Sequence, residues 1–103
     1  MGVDFDKYVV YFDGELLDIK SFGLFRTAVA IIWTVFRYHD GKFKFAPDPL
    51  MRELKKRVNI EFKYNFVDRT LFLMRDMNFL RKEGNMFILN SDKCGIIRKE
   101  KKK

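Results

Sequence analysis

The stretch VDRTLFLMRDMNFLRKEGNMFIL, residues 67–89, decides the fold of this chain. Its first half has four apolar residues at helical spacing, which are Val67, Leu71, Met74 and Met77. Residues spaced by three and four positions share one face of a helix, so we expect a helix over residues 65–77 with this face buried. Asn78 follows, a residue type that can take the left-handed conformation at a helix end.

The second half of the stretch predicts a β-hairpin over residues 79–89. Two short apolar-rich strands, Phe79–Lys82 and Met86–Leu89, flank the tripeptide Glu83-Gly84-Asn85. A three-residue loop that contains glycine is common in hairpins.

A second helix, over residues 48–58, precedes this stretch. Asp48 is expected to act as its N-cap, and Pro49 suits the first helical turn, where its missing N–H costs nothing. Leu50, Leu54 and Val58 give the helix an apolar face. Residues 59–64 then form a turn, and Asn65 is expected to cap the following helix, with Asp68 completing a capping box.

The N-terminal part predicts a hairpin and a long apolar helix. Two apolar runs within residues 8–19 flank Asp13-Gly14, a dipeptide favoured in two-residue hairpin turns. Ser21 is a suitable N-cap for a helix over residues 22–38, which is apolar on nearly every side and must be covered on nearly every side. Either the N-terminal hairpin or a second copy of the chain supplies that cover. Lys42–Phe45 alternates as a short strand does.

The order of these elements resembles the winged helix-turn-helix family of DNA-binding domains. The register from Val67 to Leu89 matches the family's recognition helix, glycine-type residue and wing, although Asn59 replaces the helix-turn glycine and the turn is about two residues longer. The resemblance implies an α+β fold with three helices, a C-terminal β-hairpin wing and an extra N-terminal hairpin. We expect one domain over residues 1–97 and a basic tail over 98–103.

The resemblance also implies which residues contact DNA. The recognition helix would enter the major groove, and its outward residues near the N-terminus would contact base edges: Tyr64, Asn65, Asp68, Arg69 and Phe72. Arg69 suits guanine, whereas Asn65 suits adenine if it does not cap the helix. Phosphate contacts are expected from Lys55, Lys56, Arg57, Lys63, Arg75, Arg81 and Lys82.

The charge distribution favours an anionic partner. Residues 1–50 hold six Lys/Arg against seven Asp/Glu, whereas residues 51–103 hold fifteen against seven. A basic half of this kind suits nucleic acid or an anionic membrane surface, although a solvated basic surface is the simpler explanation.

Other function classes lack support in the sequence. One cysteine, Cys94, and one histidine, His39, cannot make a zinc site, and we find no phosphate-binding glycine loop and no catalytic motif. We therefore expect no enzyme activity, metal or cofactor. A single cysteine indicates an intracellular, reducing location. The N-terminus does not have the pattern of a signal peptide. The longest apolar stretch is too short to span a bilayer.

The sequence thus predicts a sequence-specific binder of double-stranded DNA, a small transcriptional regulator. We expect a homodimer formed through the first helix and the N-terminal hairpin, with its recognition helices about 34 Å apart. The alternative is a protein-interaction module, favoured by the apolar Phe72 and Leu73, which lie off the expected core face. RNA is a less favoured ligand.

Overall fold

The computed structural model describes residues 7–17 and 26–98, which fold into three helices and two antiparallel three-stranded sheets. In chain order the elements are β1 (Tyr8–Phe12), β2 (Glu15–Leu17), α1 (Arg26–His39), β3 (Lys42–Lys44), α2 (Pro47–Val58), α3 (Tyr64–Asp76), β4 (Leu80–Glu83), β5 (Met86–Leu89) and β6 (Cys94–Arg98). The α+β class, the N-terminal hairpin and the C-terminal hairpin predicted from the sequence are confirmed.

Sheet A has the strand order β2-β1-β6, and sheet B has the order β3-β5-β4. In sheet A, Val10 pairs with Leu17 on one side and with Ile96 on the other. In sheet B, Phe87 pairs with Phe43 and with Lys82. The sheet that contains the two strands of the predicted wing therefore has β3 as its third strand, and β3 precedes α2 in the chain.

Helix α1 forms the centre of the core, and every residue from Ala28 to Val35 is buried. It packs against β1 and β6 of sheet A and against α2 and α3. The sequence left open whether the hairpin or a second copy covers the second apolar face of α1. Sheet A covers it within one chain, so the apolarity of α1 no longer requires a partner. The expected N-cap Ser21 and residues 22–25 of the predicted helix lie outside the described residues.

The first hairpin turns at Asp13 and Gly14, as its sequence predicts. Both residues have positive φ, 51° and 91°, and Phe12 pairs with Glu15 across them. Two left-handed central residues match the twist of the flanking strands, and Asp-Gly adopts that conformation at low cost. Residues 18 and 19 of the predicted hairpin lie outside the described residues.

Both expected side-chain caps are wrong. The N-cap of α2 is Ala46, and Pro47 already occupies the first turn, so Asp48 lies inside the helix. The N-cap of α3 is Lys63, with no side-chain cap hydrogen bond, and Asn65 is the second residue of that helix. The capping box with Asp68 is therefore absent. The start of α2 is set instead by Pro47 and the extended backbone of Ala46, and the start of α3 by the extended backbone of Lys63.

The end of α3 and the second hairpin also differ in detail from the expectation. Asn78 takes the left-handed conformation as predicted, with φ 67°. Met77, expected in the core, is exposed. The helix ends at Asp76, and Met77 lies beside the face that Val67, Leu71 and Met74 bury rather than within it. Glu83 pairs with Met86, so the loop is the two residues Gly84 and Asn85 rather than three.

Strand β6 was not predicted from the sequence. The strand is short and follows Asn90-Ser91-Asp92-Lys93, so local propensity does not reveal it. Its pairing with β1, more than eighty positions earlier, stabilises it. Arg98, assigned to the basic tail, is the last residue of β6. Residues 99–103 lie outside the described residues.

Candidate nucleic-acid interface

Helix α3 presents a polar surface directly opposite its buried face. Val67, Leu71 and Met74 are buried against the core. Successive helical residues are about 100° apart, so Asn65, Arg69 and Asp76 lie on the far side. All three are exposed. The helix therefore has a solvent-facing stripe that carries one amide, one guanidinium and one carboxylate.

Arg69 and Asn65 are free to bind a ligand. Within residues 7–17 and 26–98, neither side chain makes an ion pair or a side-chain hydrogen bond. Asn65 was expected to be occupied as a cap, but Lys63 holds that position. The amide of Asn65 therefore keeps its donor and acceptor available, as bidentate contact with adenine requires.

The N-terminus of α3 is also open. No side chain caps it, and its first turn contains no acidic residue. The backbone N–H groups at a helix N-terminus carry a partial positive charge and favour anions. Lys63 and Tyr64, both exposed, lie at this end.

The two basic residues of β4 point in opposite directions. Lys82 pairs with buried Phe87 and lies two positions after buried Leu80, so the side chains of Lys82 and Leu80 are on the same face of sheet B. This is the face of the sheet that is directed toward α3. Arg81 lies on the outer face, where its Nε donates a hydrogen bond of 2.8 Å to Glu83 Oε2. The sequence grouped both as phosphate contacts, and strand alternation separates them.

Phe45 joins the hairpin to α3. Its ring packs edge-on against Phe72, with 5.6 Å between the ring centroids, and Lys82 Nζ lies 5.3 Å from its centroid. This contact shows that the flank of α3 carrying Phe72 faces sheet B, and Asp68 and Arg75 share that flank by helical spacing. Phe45 was not singled out from the sequence, because the cation–π contact depends on long-range pairing.

Helix α2 divides its basic residues in the same manner. Lys55 and Lys56 are exposed. Arg57 instead donates from Nε to Glu53 Oε2 at 2.8 Å, and its guanidinium lies 4.1 Å from the Tyr38 ring centroid. Tyr38 belongs to α1, so the Arg57 side chain is engaged in contacts within the protein.

A second flank of α3 is apolar and exposed. Phe66, Leu73 and Met77, which we call the apolar flank, are 54%, 51% and 53% exposed. They follow helical spacing on the side of the stripe away from Phe72. A cluster of this kind is more common at protein interfaces than on free surfaces.

The described residues give no support for a metal or thiol site. Among them, no group of three or more His, Cys, Asp or Glu side chains could hold a metal ion. Burial raises the pKa of Cys94 to about 12. A buried thiol of this kind is unreactive near neutral pH.

Comparisons of the chain with protein-family models, with curated proteins and with solved structures find no match in any of the three. No helix among the described residues is long and apolar enough to cross a membrane.

Proposed function

We propose that this chain is a winged helix-turn-helix protein that binds double-stranded DNA sequence-specifically, as a small transcriptional regulator. The order helix, strand, helix, helix and hairpin supports this fold, as does the pairing of β3 with the last strand of the hairpin. In this arrangement α2 and α3 form the helix-turn-helix, and β4 and β5 form the wing. Asn59, with φ 58°, takes the left-handed conformation that glycine gives to the turn.

The observation that carries the proposal is the exposed polar stripe of α3 beside the hairpin. An α-helix fits the major groove, and residues opposite its buried face reach the base edges. Arg69 would contact guanine O6 and N7, and Asn65 would contact adenine. Asp68 and Phe72, on the flank toward sheet B, would lie at the margin of the groove with Tyr64.

Phosphate contacts would come from basic groups around α3. Lys63 and the helix N-terminus lie at one end, Lys82 lies on the hairpin, and Lys55 and Lys56 lie on α2. Arg75, exposed near the end of α3, would reach backbone at most. Arg57 and Arg81 are left out of this set because each is bonded to a glutamate of its own element, Glu53 in α2 and Glu83 in β4.

Selection of bound sequences from a random duplex pool, followed by fluorescence anisotropy on the selected site, tests the proposal. Replacing Arg69 with Ala should cost about 1–3 kcal/mol on that site and relax the preference at one base pair. Arg81→Ala, an equal loss of charge on the outer face of the hairpin, is the matched control and should leave the preference unchanged. Absence of salt-sensitive binding to any duplex would refute DNA binding.

A protein-interaction module is the second candidate, because the apolar flank of α3 stands exposed beside the stripe. Insertion of α3 into a groove leaves Phe66 and Leu73 near charged phosphates, which gives them no apolar contact. If duplex DNA and duplex RNA both fail to bind at low salt, this second candidate is favoured. Stronger binding to RNA than to DNA would instead support the third reading, RNA binding.

A further inference from the structure

The open edge of sheet A is a surface that the DNA-binding proposal does not use. Among the described residues β6 pairs with β1 alone, so one edge of the strand has no partner. Asp13 donates its N–H to the Lys93 carbonyl. In an antiparallel ladder, every second residue of a strand bonds to the same neighbouring strand. Because Lys93 bonds toward β1, the backbone N–H and C=O groups of Gly95 and Ile97 also point toward β1, and those of Ile96 and Arg98 point outward.

The surroundings of this edge are apolar on both sides. An open groove of about 290 Å³ runs along β6 and is lined by Phe36 and Ile96 from the α1 side and by Tyr11 and Ile97 from the outer side. Ile97 is 48% exposed, and Leu16, in register with Tyr11, is 61% exposed. A free strand edge without an internal charge or proline is a template for pairing with another strand.

The charges at the two ends of sheet A have opposite signs. Lys7 and Arg98 lie at one end, and Asp13, Glu15 and Asp92 lie at the other. Lys93, near the acidic end, places its ammonium 5.7 Å from the Phe79 ring centroid. Antiparallel pairing of two copies sets the basic end of each against the acidic end of the other, whereas parallel pairing sets like charges together.

We propose that two copies of this chain dimerise by antiparallel pairing of their β6 edges around a two-fold axis at Ile96. Each Ile96 N–H then donates to the carbonyl of the partner's Ile96. Each Arg98 N–H donates to the carbonyl of the partner's Cys94. The product is one six-stranded sheet, and the two-fold axis closes the assembly.

Gly95 fits this register. It lies inside a strand without positive φ, and a Cβ at this position meets no atom within 4 Å, so its own chain does not require glycine. In the dimer Gly95 faces Ile97 of the partner subunit in a pair whose Cα atoms are about 4.5 Å apart. The missing side chain lets that isoleucine reach Tyr11, which is in register with Gly95.

The dimer deepens the DNA-binding proposal and rests on it for one point, the placement of α3. Helix α1 lies between sheet A and the pair α2 and α3. An axis normal to the joined sheet therefore leaves both α3 surfaces free and directed to the same side.

Sedimentation velocity without DNA, from micromolar to millimolar concentration, tests the dimer. Ile96→Pro removes an outward N–H and keeps the ladder with β1, and Ile96→Ala is its matched control for the lost side chain. We expect the proline variant to dissociate about 30-fold more readily than the alanine variant, equivalent to two net hydrogen bonds. Arg98→Pro, at the strand end, repeats the test with less risk to folding, and Arg98→Gln controls for its charge.

The register is tested by oxidative crosslinking. The double variant Gly95→Cys with Ile97→Cys should form an interchain disulfide, since the expected Cα separation of about 4.5 Å suits one. Ile97→Cys alone should not crosslink. Cys94 can stay in place because its thiol is buried.

Three results would overturn the dimer proposal. The first is a wild-type chain that stays monomeric at millimolar concentration. The second is a pair of proline variants that dimerise as well as their controls. The third is dissociation of the dimer by Leu73→Lys, a substitution on the apolar flank. Duplex binding is measured separately, so a monomer that binds DNA would refute the dimer and leave the DNA-binding proposal intact.

Discussion

Glu53 accepts hydrogen bonds from two side chains on different elements. His39 Nε2 lies 2.6 Å and Arg57 Nε 2.8 Å from its Oε2. Burial raises the pKa of Glu53, but the hydrogen bonds from Arg57 and His39 outweigh burial and hold the pKa below its ordinary value of 4.5. This contact connects the end of α1 to α2, so it fixes the first helix of the proposed helix-turn-helix on the core.

The depressed pKa of Glu53 predicts a pH-dependent contribution to stability. A carboxyl with a lowered folded-state pKa stabilises the protein fully above its unfolded pKa, and the contribution is lost as pH falls below about 4.5 through the folded value. Glu53→Gln should cost about 1–2 kcal/mol near pH 7, from the lost charge-assisted bonds. Thermal unfolding of both proteins should show the difference shrinking as the pH falls below about 4.5. A difference that grows with acid would contradict the prediction.

Cys94 should be unreactive in the folded protein. Its side chain is buried, its Sγ lies 3.5 Å from the Asn90 carbonyl, and burial raises its pKa to about 12. An aromatic disulfide reagent at pH 8 should label it only through unfolding, so the labelling rate should rise with denaturant. Fast labelling without denaturant would show that β6 opens locally.

At the scale of elements, the two basic residues of the hairpin point to opposite faces of sheet B. Lys82, held over Phe45, lies beside α3, and Arg81 lies on the outer face with Glu83. Neighbouring residues of a strand face opposite sides, so a pair of adjacent basic residues offers one charge to each surface. The sequence pattern predicted the hairpin, but only the pairing of β5 with β3 shows which side faces α3.

This division predicts different effects on DNA binding, given the proposed function. Lys82→Ala should weaken all duplexes alike and reduce the slope of log affinity against log salt by about 1. Arg81→Ala, the neighbouring control, should leave the slope unchanged. Phe45→Leu should produce a smaller loss than Lys82→Ala, since it releases the ammonium without removing it. Equal slopes for both alanine variants would refute the assignment of Lys82 to the α3 side.

At the scale of the whole molecule, α1 depends on strands from both ends of the described chain. Residues 8–12 and 94–98 pair in sheet A and cover one side of the helix. A helix that is buried on nearly every side cannot stay folded when one cover is removed, because its apolar surface becomes exposed to water. The proposed helix-turn-helix is therefore not expected to be stable without sheet A.

Truncation tests this dependence. Ending the chain at Asn90 removes β6, and we expect loss of cooperative thermal unfolding and binding of a hydrophobic dye. Ending it at Arg98 keeps all the strands of the described residues and should retain the cooperative transition. A cooperative fold in the shorter chain would show that sheet A is dispensable.

The sequence alone determined the elements whose signals are local. The helical spacing of Val67, Leu71 and Met74, the turn at Asp13-Gly14 and the left-handed Asn78 each depend on neighbours within a few positions, and the structure confirms them. The helix starts were misplaced because Pro47 and the extended residues before each helix outweigh a side-chain cap, which is a small contribution.

Tertiary structure alone decided the features that depend on distant partners. Strand β6 forms because β1 supplies its hydrogen bonds, and together with β1 it covers one side of the apolar α1 within a single chain. The pairing of β4 with β5 likewise places Lys82 beside α3 and Arg81 on the outer face, and among the described residues β6 has β1 as its one strand partner. Local sequence patterns report backbone preference, whereas the direction and neighbours of a side chain are set by which strands and helices meet.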